Sequence, residues 1–221
     1  KIKIKSMYDV PYNQLSKIQK LIIPLKILLR KNKIFEKYIK KDYDIEIAFL
    51  EGPITRLFSV KNEKAKKIAW IHNDISFVFG NGIKAKLKRK IDSKIYSKYK
   101  TLVFVSKENL NNFNKTYPDI ENDKKVIYNY INKENIIEKA NIFEAKEINK
   151  NNKNFITVAR LVPQKGIDRI INVHSKLIKQ GLKHYFYVIG DGPEKEKLKK
   201  QIKENDVKDT FILLGKKENP Y

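Results

Sequence analysis

The sequence predicts an α/β protein built from two doubly wound parallel sheets, one in each half of the chain. Three observations carry this. Short apolar runs alternate with longer amphipathic ones along the 221 residues. Residues 132–154, rich in Asn, Lys and Glu, separate two such series. In the second series the strands ending at Val158 and Ile189 each run into a glycine-containing loop and then a helix.

The elements follow in order. Residues 1–5 (KIKIK) alternate with the period of a strand. Residues 12–41 are helical in character, with Pro24 as a break or a new helix start. Residues 45–50 (IEIAFL) form an apolar strand closed by Glu51, Gly52 and Pro53, and residues 54–60 a short helix. Residues 67–71 (KIAWI) form a strand ending at His72, Asn73 and Asp74. In residues 83–99, Ile83, Leu87, Ile91 and Ile95 recur at i+4 and lysines fill the rest, which predicts a helix packed on the sheet by that apolar face. Residues 102–105 (LVFV) are a strand, and Ser106 caps the helix after it. Residues 125–128 (KVIY) close the first half. The second half reads strand 155–158, helix 166–181, strand 185–189, helix 194–205 and strand 210–214. The expected organisation is a first domain over 1–131, a linker over 132–154 and a partial second domain over 155–221.

Composition narrows the function. There is no cysteine, so a disulfide framework and a thiolate metal site are excluded, and a reducing compartment fits. The longest apolar run, residues 21–29, is interrupted by Pro24 and Lys26, and is short of the ~20 apolar residues of a membrane span. No signal-peptide pattern is present, and a start at Lys1 without methionine suggests part of a longer chain. The net charge of +23, from 48 Lys and Arg against 25 Asp and Glu, points to an anionic partner: lipid headgroups, nucleic acid or phosphorylated substrates. The plain alternative is a lysine-rich composition spread over solvated faces.

The chemistry concentrates in residues 155–193. Arg160 and Lys165 lie five apart in a strand-to-helix loop, and supply positive charge that does not titrate near neutrality. The helix opening at Gly166 adds backbone N–H groups, the arrangement that binds phosphates at helix N-termini. Gly190 and Gly192 permit a tight turn and close approach to a ligand, and Pro193 suits the first turn of the next helix.

The run V-A-R-L-x-x-x-K-G-x-D (residues 158–168), then V-I-G-D-G-P (188–193) and F-I-L-L-G (211–215), resembles the donor-binding half of the retaining glycosyltransferases of family 4, also called glycosyl transferases group 1. The resemblance is clear over 125–221 and looser over the first half, where E-G-P (51–53) and W-I-H-N-D (70–74) carry it. It implies the GT-B fold, two Rossmann-like domains facing a cleft, and sugar transfer from a nucleoside-diphosphate sugar to an acceptor hydroxyl without a metal or cofactor. Arg160 and Lys165 would hold the diphosphate, Gly190, Asp191, Gly192 and Gly215 would lie against the nucleotide, and the loop after Leu214 near the base. His72 would be the catalytic-side residue, beside the transferring sugar, with a histidine bonded to backbone carbonyls as the structural alternative. Glu51, Gly52 and Asp74 would be acceptor-side residues, with a turn and a helix cap as their plain readings.

Two departures stand out. Residues 129–132 read Asn-Tyr-Ile-Asn where the family carries an Asn-Pro/Gly-x-Asp turn. The family's paired-glutamate motif would fall beyond Tyr221 and its glycine-rich loop before Lys1, so the chain on its own is expected to be inactive. Asp42-Tyr43-Asp44 matches a metal-binding D-x-D pattern but precedes a strand in the acceptor half and reads as a turn.

The expected partners are a UDP- or GDP-type sugar, a glycan or lipid-linked acceptor in cell-surface polysaccharide synthesis, and an anionic membrane surface. For the last, residues 83–100 supply eight basic residues and one acid. Nucleic acid is not expected as a partner. The expected place is the cytoplasm, at the inner face of the plasma membrane. Rival readings are a sugar-nucleotide epimerase or hydrolase on the same fold, a basic nucleic-acid-binding protein, and a non-catalytic nucleotide-sugar sensor.

Overall fold

The computed structural model describes residues 7, 10, 14–39, 43–78, 80, 82–149 and 151–221, residue 77 by its backbone alone. The predicted strand over 1–5, both ends of the predicted helix 12–41, and Asp42 fall outside them. Contacts divide the chain into two compact units, Lys1–Tyr130 and Ile131–Tyr221.

In the first unit, β1 (Ile45–Ala48), β2 (Lys66–Ile71), β3 (Thr101–Phe104) and β4 (Asp123–Val126) form a parallel sheet in the order β1-β2-β3-β4. β4 starts two residues earlier than the apolar run suggested, because Thr101–Phe104 pairs with Asp123–Val126 and polar residues suffice at a sheet edge. Sequential order with right-handed crossovers brings the connecting helices to one face. These are α2 (Pro53–Phe58), α3 (Ile75–Val78), α4 (Ile83–Tyr96) and α5 (Lys107–Thr116). The core lies there: Ala48, Ala69, Ile71, Leu102 and Phe104 of the sheet meet Ile75, Tyr96 and Phe113. The alternate residues of β1, Ile45 and Ile47, and the adjoining Phe49 stay exposed on the opposite face.

α1 (Lys17–Tyr38) starts at a capping box: Gln19 N–H donates to Ser16 Oγ at 3.1 Å, and Ser16 N–H to Gln19 Oε1 at 2.9 Å. It runs through Pro24, and its departure from helical geometry falls at Arg30 instead (φ −131°, ψ 25°). Buried Ile27 and Phe35, packed on Leu57 and Val60, hold both sides of that irregularity.

The orientation of α4 differs from the sequence expectation. It buries Ala85, Asp92 and Tyr96, while Ile83, Leu87 and Ile91 are exposed. Small Ala85 allows close approach, Tyr96 fills the core, and Asp92 Oδ1 accepts a 3.0 Å hydrogen bond from Arg56 of α2. Burial pushes the Asp92 carboxyl up, against the pull of that guanidinium. A second buried ion pair joins β1 to β2. Lys67 Nζ donates to Glu46 Oε2 and, at 2.7 Å, to the Phe58 carbonyl; Asn62 Nδ2 donates to Glu46 Oε1 at 2.6 Å.

In the second unit, β5 (Lys153–Val158), β6 (His184–Ile189) and β7 (Phe211–Gly215) are parallel in the order β5-β6-β7, with α7 (Ile167–Lys179) and α8 (Lys195–Glu204) as crossovers. Residues 132–154, read as a linker, contain a helix, α6 (Lys133–Ala140), and the first two residues of β5. Asn132 caps α6 by accepting from Asn135 N–H at 2.9 Å, and Asn149 N–H bonds Tyr187 OH at 3.0 Å, so this stretch belongs to the second unit. Leu161, Ile167, Ile171, Val188, Leu198, Ile202 and Phe211 make the core. Beside it lies a buried histidine pair: His174 Nδ1 is 2.8 Å from His184 Nε2, and His174 Nε2 is 2.9 Å from Thr210 Oγ1. The α/β class with a parallel sheet in each half is as expected.

Candidate functional site

The loop after β5 is fixed by backbone bonds to the loop after β6. Ala159 N–H donates to the Ile189 carbonyl and Leu161 N–H to the Asp191 carbonyl, both at 3.0 Å. Glu194 N–H returns to the Leu161 carbonyl at 3.1 Å, and Gly190 N–H bonds the Gly215 carbonyl at 2.8 Å. Only glycine fits at two points of this clasp. A Cβ on Gly190, whose φ is +146°, would lie 1.9 Å from the Ala159 carbonyl oxygen, and one on Gly192 would lie 2.4 Å from that of Leu161. These glycines thus make room for the neighbouring loop, a use that the sequence pattern did not reveal.

Between the anchor points the chain bulges outward. Leu161 is buried, but Arg160 and Lys165 are exposed, and neither takes part in an ion pair or side-chain hydrogen bond among the described residues. Residues Pro163–Lys165 form a 3₁₀ turn, and Gly166 (φ 64°, ψ 28°) turns the chain into α7. Among the described residues no side chain caps α7 or α8, so both helices present uncapped N-termini. A third cation joins the group: the position a Cβ would take on Gly166 lies 2.5 Å from Arg169 Nη2. Arg169 was missed in the sequence, although a basic residue on the first turn after Lys165 was the signal for it.

Asp191 is occupied within its own loop. It accepts from Gly192 N–H at 2.7 Å and from Lys195 Nζ at 2.8 Å, and the Lys195 bond leads in holding its carboxyl below the usual carboxylate range. Gly215 ends β7 at φ 73° in open space. Next to it an apolar cavity of about 310 Å³ is lined by Ile156, Ile189, Leu214, Phe143 and Tyr221.

In the first unit the candidates gather after β1 and β2. Glu51 Oε1 accepts the backbone N–H groups of both His72 and Asn73, and Asn73 Nδ2 donates to Glu51 Oε2 at 3.2 Å. Asn109 Nδ2 holds the His72 carbonyl at 3.2 Å. The His72 ring meets Phe49 edge-on at 4.7 Å, and its Nε2 is buried with no hydrogen-bond partner among the described residues. Gly52 (φ 77°) starts α2, and its carbonyl accepts from Thr55 Oγ1 at 2.9 Å. Asp74 acts as a cap: Oδ1 accepts from Ser76 N–H (2.9 Å) and Oγ (2.6 Å), and Oδ2 from Asn112 Nδ2 at 2.6 Å. Burial works to raise this carboxyl, but the bonds from Ser76 and Asn112 outweigh it and leave it lowered. A larger basin, about 900 Å³, opens at the other ends of these strands and holds none of the candidates; Lys31, Lys66, Lys67, Lys98 and Lys100 line it. Among the described residues no group of acidic, histidine or cysteine side chains could hold a metal ion.

Residues 138–221 match the family model described as glycosyl transferases group 1. An uncharacterized glycosyltransferase of Methanocaldococcus jannaschii is 24% identical over 223 residues, which cover 95% of this chain and 54% of the relative. The poly(ribitol-phosphate) alpha-N-acetylglucosaminyltransferase of Staphylococcus aureus (strain COL) is 26% identical over 193 residues, 84% of this chain and 36% of the relative. The chain thus spans about half, and about a third, of these relatives' lengths. The solved structure of Anabaena HepE in complex with UDP superposes with a TM-score of 0.61 at 16% identity, covering 86% of this chain and 52% of that one. The clasped Arg160 loop and its uncapped helix lie inside the stretch that matches the glycosyl transferases group 1 model, and the fold of the chain is that of the solved GT-B glycosyltransferases it resembles.

Proposed function

We propose that the chain is part of a retaining glycosyltransferase of the hexosyltransferase class, moving a sugar from a nucleoside-diphosphate sugar to an acceptor hydroxyl. One observation carries this reading: Arg160 and Lys165, with no side-chain partner among the described residues, sit on a loop clasped by backbone bonds beside the uncapped N-terminus of α7. In this reading they bind the donor diphosphate, with Arg169 as a third positive group. They stabilise the negative charge that grows on the diphosphate as the sugar departs, and the clasp holds them in place beforehand. The reaction then needs neither metal nor cofactor. Gly190, Gly192 and Gly215 shape the nucleotide side, and the loop after Leu214 lies near the base.

In this reading His72 contacts the transferred sugar or positions the acceptor, and Glu51 fixes its place in the chain by accepting its backbone N–H. Retention of configuration rests on the likeness of residues 158–168 to the retaining family. HepE was solved with UDP, which favours UDP over GDP as the carrier. The staphylococcal relative is named for a poly(ribitol-phosphate) acceptor, and an anionic cell-surface polymer or a lipid-linked glycan suits a chain with net charge +23. Lack of cysteine fits a cytoplasmic site for this work.

Titration calorimetry with UDP and with GDP tests the reading. We expect UDP binding that weakens at least tenfold in Arg160→Ala, about 1.4 kcal/mol, and also in Lys165→Met, with unchanged circular dichroism. Unchanged affinity in both variants would remove the loop from the site.

A further inference from the structure

We propose that the first unit docks on an anionic lipid bilayer through the outward faces of α4 and α1, its aliphatic side chains entering the headgroup–acyl boundary. The inference is independent of the donor site.

Ala85, Asp92 and Tyr96 face the core, and Ile83, Leu87 and Ile91 lie roughly 160° round the helix from them at 100° per residue. Their exposures are 87%, 61% and 44%, so an aliphatic stripe faces outward along the helix. Single exposed aliphatics need no explanation, but a stripe at i, i+4 and i+8 on a helix already anchored by its other side does.

The flanks say what covers it. On this helical geometry Lys86 and Lys90 border the stripe on one side, and Lys84 and Lys88 on the other. All four are exposed, and none is in an ion pair among the described residues. The single acid of the helix, Asp92, is turned inward and neutralised by Arg56. An apolar band between two rows of lysine matches a membrane interface, where the band enters the acyl boundary and the ammonium groups reach headgroup phosphates.

α1 repeats the design on the same helical layer. α2 packs against α1 through Leu57 and against α4 through the Arg56–Asp92 pair. On α1, Leu21 and Leu29 are 76% and 72% exposed, and Ile18, Leu25 and Leu28 lie exposed between or beside them. Lys17, Lys26, Arg30 and Lys33 accompany them, and the first acid of the helix is Glu36. A stripe with acids on its flanks would have indicated a protein partner of mixed charge; here they are absent.

Vesicle co-sedimentation of the 221-residue chain tests this. Vesicles of phosphatidylcholine alone are compared with vesicles containing about 30% phosphatidylglycerol, at about 0.15 M salt. We expect pelleting with the anionic vesicles at least tenfold stronger than with the neutral ones. The triple variant Ile83→Gln, Leu87→Gln, Ile91→Gln, whose positions are exposed, is expected to lose at least tenfold in vesicle binding while keeping its UDP affinity. In Leu87→Trp the indole emission is expected to shift to the blue on anionic vesicles only. Equal binding to both vesicles, a triple variant that pellets like the parent chain, or an unshifted emission would each overturn docking by insertion. Concentration-dependent dimerisation in sedimentation velocity, abolished by the triple variant and without vesicle binding, would assign the stripe to a second copy of the chain instead.

Discussion

The Gly190 α-carbon faces the Ala159 carbonyl so closely that a Cβ would sit 1.9 Å from its oxygen. That contact binds the β6 loop to the β5 loop and sets the position of Arg160. Gly190→Ala must therefore part the two loops and also hold alanine at φ +146°, a cost of about 3 kcal/mol or more. Gly215→Ala meets open space at φ 73° and should cost only about 1 kcal/mol. Urea unfolding of both variants checks the order, and UDP calorimetry should show the larger loss for Gly190→Ala.

Glu51 closes the end of β2 by accepting two backbone N–H groups, from His72 and Asn73. Glu51→Ala leaves both without a partner, at about 1–3 kcal/mol. Hydrogen exchange read residue by residue should show the His72 and Asn73 amides exchanging at least tenfold faster, with the β5–β7 sheet unaffected.

The His174–His184 pair makes stability depend on pH. His184 Nδ1 must donate to the Leu182 carbonyl at 2.9 Å, so its Nε2 accepts from His174 Nδ1, and His174 Nε2 is left to accept from Thr210. Burial first, and then the neighbouring His184, pushes the His174 imidazole down to about 4 from an ordinary 6.5. The unfolded chain binds the proton more readily, so stability is full above pH 6.5 and falls as pH drops toward 4. Thermal unfolding of the chain and of His174→Gln across this range checks the sign: the slope should flatten in the variant.

The Lys67–Glu46 pair is buried on both sides. Lys67→Met alone leaves a buried carboxylate and should destabilise by about 3–5 kcal/mol. Adding Glu46→Leu removes that uncompensated charge, and the double variant should recover most of the loss in a denaturant double-mutant cycle.

The parts of this molecule written locally were legible in its sequence. Buried parallel strands are apolar runs, so 67–71 and 185–189 stood out, and Arg160, Lys165 and Gly166 sit within a few residues of one another. What depended on distant partners was not. Periodicity gave α4 an apolar face but could not say which way it points; that is decided by Arg56, which is 36 residues from Asp92. Gly190 and Gly192 looked like ligand-facing glycines because the carbonyls they admit lie on another loop. Glu51 looked like a turn or an acceptor contact, and its bonds to residues 21 and 22 positions away could not be read from spacing. The stretch 132–154 lacked an apolar face and read as a linker, yet α6 forms there with no buried residue.

The exposed side chains on the outer face of the first sheet have a colloidal consequence. Ile45, Ile47 and Phe49 form a surface that water wets poorly, and two copies would gain by pressing such faces together. A net charge of +23 opposes that encounter, since like-charged molecules must approach to within the screening distance before apolar contact begins. That distance shrinks from ~30 Å at 0.01 M salt to ~10 Å at 0.1 M. The lysines that look excessive on this chain therefore also keep it dispersed, and concentrated salt is the condition under which it would first come out of solution.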